Sequence, residues 1–87
     1  MADYTLHYYQ PRLNRVEPHN IIETEEKHHF PASNDTDAFK EMSRFIGKGY
    51  LVQGRNRYNR RGLKLERVHP HQVLWSDAAT PLRMTGT

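Results

Sequence analysis

The chain has 87 residues, with 13 lysines and arginines, 10 aspartates and glutamates, six histidines and no cysteine. That length fits one domain with a modest core, and the lack of cysteine excludes disulfides and thiolate metal sites. No stretch approaches the ~20 apolar residues of a membrane-crossing helix, and MADYTLHYYQ lacks the basic start and apolar run of a signal peptide. The expectation is a cytoplasmic protein, of a cell or of an infected host, with no membrane contact.

Residues 4–9, YTLHYY, alternate and are rich in β-formers. They predict a strand with Tyr4, Leu6 and Tyr8 on one face and Thr5, His7 and Tyr9 on the other. QPRLNRVEPHN follows, with prolines at 11 and 18. It reads as a loop, with a short extended piece near Leu13 to Val16. Residues 20–30 mix strand-favouring Ile21, Ile22, Thr24 and Phe30 with an EEK run. The alternation favours a strand, polar on both faces and so suited to a sheet edge or a solvated hairpin arm. Pro31 is expected to end it.

Asn34 to Gly49 predicts the one helix. Ala38, Phe39, Met42, Phe45 and Ile46 form a stripe of 3.6-residue period. Asn34 is a suitable N-cap, Asp37 stands at the capping-box position, and Asp35 and Asp37 oppose the helix dipole. Gly47 or Gly49 can supply a left-handed closing residue. The Asn34-Asp35-Thr36 glycosylation pattern is explained by capping.

Tyr50 to Gln53 reads as a short strand. GRNRYNRRG then carries hairpin-turn chemistry, with the turn expected near Asn59 to Gly62. LKLERVH alternates, with a slip near Arg67 if Val68 is core, and QVLW is a last short strand or a flap. The fold class is a small α+β domain over residues 1–77. Its order is β-β-α-β-β, with a fifth strand optional and one helix packed on one face of a mainly antiparallel sheet. Residues 78–87 read as a frayed tail. The expected core is Leu6, Tyr8, Ile22, Phe30, Ala38, Phe39, Met42, Phe45, Ile46, Leu51, Leu63, Leu65, Val68, Leu74 and Trp75. Phe45→Ala would cost about 3–5 kcal/mol if that ring were fully buried.

Charge is asymmetric. Residues 1–47 carry eight acids and five bases, and residues 48–87 two acids and eight bases. Gly54 to Arg67 concentrates Arg55, Arg57, Arg60, Arg61, Lys64 and Arg67 around Tyr58. Guanidinium groups match phosphate or carboxylate, and a tyrosine ring offers a base a stacking face. The expected site is therefore this basic hairpin, binding RNA or DNA. The alternative is a protein-interaction module, a small inhibitor or adaptor of phage or mobile-element type. It would dock the same hairpin, or an edge strand, on an acidic partner protein. The plainer reading is a solvated hairpin neutralised by Glu23 to Glu26. A homodimer is a further option, through Tyr8, Tyr9 or the 21–30 edge.

The histidines match no zinc spacing, and His28 and His29 on one strand face opposite ways. No metal or other cofactor is expected. A Glu66, His69 and Arg60 or Arg61 grouping is the one ribonuclease-like combination to consider. Without a nucleophile elbow or phosphate loop, the chain is expected not to be an enzyme.

Overall fold

The computed structural model describes residues 1–14 and 20–77. The elements are β1 (Ala2–Leu13), β2 (Ile21–Ala32), α1 (Asp35–Lys48), β3 (Leu51–Gln53), β4 (Asn56–Tyr58), β5 (Arg61–Arg67) and β6 (Gln72–Ser76). Strands β2, β1, β5 and β6 form an antiparallel sheet in that order, and β3 and β4 pair separately. The fold is α+β with one helix on one face, and β2 is an edge strand. Arg15 to His19 and the tail at 78–87 lie outside the described residues, as does half of the extended piece expected near Leu13 to Val16.

The long hairpin corrects the sequence reading at both prolines. β1 runs through Pro11 to Leu13, and β2 runs through Pro31. The ladder explains why. The Asn14 N–H donates to the Asn20 carbonyl at 3.0 Å, and the Val68 N–H donates to the Asp3 carbonyl at 2.9 Å. Even-numbered β1 residues therefore bond toward β2, and odd-numbered ones toward β5. Pro11 is odd, and β5 pairing has already ended at Tyr9 and Arg61. Pro31 pairs with Asp3, so its nitrogen faces the open edge of β2. Neither ring removes a ladder bond.

Tyr4, Leu6 and Tyr8 are buried beneath α1, with Phe30, Ala32, Ala38 and Leu65. Phe39, Met42, Phe45, Ile46, Leu74 and Trp75 pack around them half-buried. Tyr4, left out of the expected core, is 1% exposed. Ile22 and Val68, expected inside, are 43% and 48% exposed. The ladder slips twice, at Leu63 opposite the step from His7 to Tyr8 and at Leu74 opposite the step from Leu65 to Glu66, and Leu63 and Leu65 are both buried.

Asn34 caps α1 as its chemistry demands. Its backbone is extended, and its side chain accepts the Asp37 N–H at 2.8 Å. The other end differs from expectation. Gly49 has φ −98° and ψ 51°, which is not left-handed. What Gly49 supplies is space, because a Cβ there would sit 1.9 Å from the Arg60 Nε. The turn between β3 and β4 falls at Gly54 and Arg55, not at Asn59 to Gly62. Gly54 has φ +61°, a conformation glycine adopts at little cost, and Arg55 does not follow it. This is the II′ pattern that suits a two-residue hairpin.

Leu6 is fully buried, whereas Phe45 keeps part of its ring in solvent. Leu6→Ala should cost about 2–5 kcal/mol, and Phe45→Ala less than the ~3–5 kcal/mol of a fully buried phenylalanine. Urea unfolding of the two variants measures both.

Candidate functional site

The seven residues of the expected basic hairpin do not share one surface. The fold divides them among three places.

Arg60 and Arg67 lie on the helix side of the sheet. The Arg60 guanidinium donates to Gln10 Oε1 at 2.7 Å and to the Phe45 carbonyl at 2.7 Å. It rests 3.8 Å from the Phe45 ring centre and 5.3 Å from that of Tyr8. It thus satisfies a carbonyl in the last turn of α1 that has no partner within the helix. Gln10 helps by donating to the Gly49 carbonyl at 3.2 Å. Arg67 grips both carboxylate oxygens of Asp35 at 2.9 and 3.0 Å, and also donates to Gln72 and to the Pro70 carbonyl. Tyr4 donates its hydroxyl to the same Asp35 at 2.7 Å. The Tyr4 hydroxyl and Arg67 hold the Asp35 carboxyl below its usual range, while burial and Asp35 push the Tyr4 phenol up.

Arg61 and Lys64 lie on the opposite, helix-free face. Arg61 donates to Glu23 at 3.0 Å and lies over the Tyr9 ring, 4.5 Å from its centre. The Lys64 ammonium is 3.9 Å from Glu66. Glu66 also holds His7 and, at 2.7 Å, His71. These two histidines bring the Glu66 carboxyl from its ordinary 4.5 to about 2. The acidic stretch Glu23 to Glu26 neutralises only one of the seven residues, Arg61. Glu26 turns to the helix side, where it accepts from Arg12 at 2.6 Å, from Thr24 at 2.8 Å and from Tyr8 at 3.2 Å.

Arg55, Arg57 and Tyr58 lie on the β3–β4 hairpin. Both arginines are exposed and neither has an acidic partner among the described residues. The hairpin has two faces. Leu51 and Tyr58 pair across it and are half-buried, lining shallow grooves against Pro11 and its neighbours. Val52 pairs with Arg57 on the other face, where Val52 is 56% and Tyr50 50% exposed. The Arg57 guanidinium sits 4.1 Å from the centre of the Tyr50 ring. Tyr50 is the more exposed of the two rings, and Tyr58 is half-buried. The alternation of Tyr50 and Val52 against Leu51 and Gln53 carried that signal.

The histidines disperse. His28 stacks on Phe45 at 3.9 Å and reaches Glu41 at 3.2 Å on the helix side. His29 bonds Thr5 through Nδ1 at 2.8 Å on the other. Among the described residues no cluster is arranged to hold a metal ion. Within the Glu66, His69 and Arg60 or Arg61 grouping, Glu66 holds His7 and His71, Arg60 lies on the helix side, and Arg61 pairs with Glu23. Among the described residues no helix is long and apolar enough to cross a membrane.

Two stability measurements follow. Arg60→Ala should lower stability by about 1–3 kcal/mol, the scale of charge-assisted hydrogen bonds lost without replacement. Gly49→Ala should also destabilise, and less so once Arg60 is already alanine, which a double-mutant cycle reads directly. Glu66 has a depressed folded-state pKa, so its contribution is complete above pH 4.5 and lost as the pH falls toward 2. Glu66→Gln should therefore differ most from wild type above pH 4.5, with the gap closing on acidification.

No family model, curated protein or solved structure matches this chain.

Proposed function

We propose that the chain is a non-catalytic binding module that engages nucleic acid through the outer face of the β3–β4 hairpin. Arg55 and Arg57 supply the phosphate contacts and Tyr50 the stacking face. Arg61 and Lys64 belong to a second, partly neutralised basic strip on the helix-free face. The carrying observation is that Arg57 stands exposed over an exposed tyrosine, with Arg55 exposed at the adjoining turn, and that neither arginine is in an ion pair among the described residues. Arginine and an aromatic ring side by side suit single-stranded nucleic acid, whose phosphates and unstacked bases are both within reach. A cytoplasmic location belongs to the same reading.

A second reading has one observation in its favour. Val52 adds exposed apolar surface between Tyr50 and Arg57, which also fits an acidic protein partner with an apolar centre.

The test is binding of purified, nuclease-treated protein to short single- and double-stranded RNA and DNA across a salt series. Affinity should fall steeply with salt. Arg57→Ala should reduce the salt slope by about 1, and Tyr50→Ala should weaken single-strand binding by about 1–3 kcal/mol. Arg55→Glu with Arg57→Glu should abolish binding while leaving the circular dichroism and unfolding curve unchanged. Binding that survives this double variant removes the hairpin as the site. Capture of one stoichiometric acidic protein, insensitive to nuclease, would favour the second reading instead.

A further inference from the structure

The outer edge of β2 carries two charges that the fold leaves unused. Glu25 and Lys27 are both exposed on the helix-free face, two residues apart. Neither has an ion pair or side-chain hydrogen bond among the described residues. Their neighbours on that face are engaged, Glu23 with Arg61 and His29 with Thr5. β2 is 12 residues long and, among the described residues, has a strand on one side only. By the parity established above, its odd-numbered residues turn their backbone groups outward. Residues 21, 23, 25, 27 and 29 thus present, in a row, backbone donors and acceptors with no partner among the described residues.

We propose that this edge pairs with β2 of a second copy of the chain, antiparallel and centred on Glu26, to make a continuous eight-stranded sheet. Charged edges ordinarily keep copies apart. Here the order of the signs favours one register over its neighbours. A twofold axis through Glu26 sets Glu25 opposite Lys27 of the second copy, and Glu23 opposite its His29. Each contact then occurs twice, as an isologous interface requires. These are also the odd-numbered, hydrogen-bonded positions, so backbone and side-chain demands agree. On the helix side the same register sets the exposed Ile22 beside Phe30 of the second copy.

Other registers lose this match. Centring on Glu25 sets that carboxylate against its own copy, and centring on Lys27 does the same for the ammonium. A shift of one residue on one strand mixes the two faces. In the proposed register the Glu26 carboxylates meet at the axis, but each already holds its own Arg12 at 2.6 Å. Pro31 falls opposite Ile21 at the outer end, where its missing donor stops the ladder.

Sedimentation velocity on the full chain over a concentration series tests this pairing. Wild type should show a monomer–dimer equilibrium that weakens with added salt. Lys27→Glu turns two attractive contacts into two repulsive ones and should lower the association constant about tenfold or more. Glu25→Lys combined with Lys27→Glu rebuilds the same pairs with signs exchanged and should restore the dimer. Both side chains are exposed, so circular dichroism should stay native in each variant. A wild type that is monomeric at every concentration overturns the proposal. So does an unchanged dimer in Lys27→Glu, or a folded double variant that fails to recover association.

Discussion

One helix has to cover the inner face of a four-stranded sheet. A helix with its side chains is about 10 Å wide, while the outer strands of such a sheet lie about 14 Å apart. α1 sits along the middle, above Tyr4, Leu6 and Tyr8 of β1. Both margins need other cover. Trp75 and Leu74 contribute on the β6 side, and His28, stacked flat on Phe45, on the β2 side. Arg60 and Arg67 close the two ends. Their apolar stems lie against the core, and their charged heads bind a helix carbonyl at one end and the first-turn carboxylate of Asp35 at the other. These arginines are part of the packing.

That use of arginine reshapes the charge left for other work. The described residues of the basic half do not form one continuous basic surface. Arg60, Arg61 and Arg67 are spent on Phe45, Glu23 and Asp35, and Lys64 approaches Glu66. Among the described residues, exposed charge without an ion pair includes that on the β3–β4 hairpin and on the outer strip of β2. The first is cationic beside an exposed ring, which underlies the proposed nucleic-acid contact. The second sets Glu25 two residues from Lys27, opposite in sign, which underlies the proposed self-pairing. Both are regions the single helix does not reach.

Local signals were legible in the sequence where one element decides them. The α1 stripe, the Asn34 cap, the alternation of residues 4–9 and the edge character of β2 all follow from spacing and capping chemistry. What stayed hidden depends on distant neighbours. Pro11 and Pro31 are harmless because of which side their nitrogens face, a property of the ladder and not of the residue. The reason for Gly49 is Arg60, eleven positions later. Arg60 looks like a ligand-binding arginine until Gln10 and Phe45 are beside it. Tyr58 lies among the arginines in sequence, and the strand period leaves Tyr50 the more exposed ring.

The account rests on the division of the arginines into structural and free. The ¹H–¹⁵N spectrum of their Nε–Hε groups, recorded with and without a short single-stranded oligonucleotide, reads that division in one sample. The Arg60 and Arg67 protons, held by Gln10 and the Pro70 carbonyl, should exchange slowly with water and keep their shifts when oligonucleotide is added. That of Arg55 should exchange fast, and those of Arg55 and Arg57 should both move on binding, Arg57 giving up its 3.2 Å bond to Asn59. If the oligonucleotide shifts Arg60 and Arg67 while Arg55 and Arg57 stay fixed, the division is wrong.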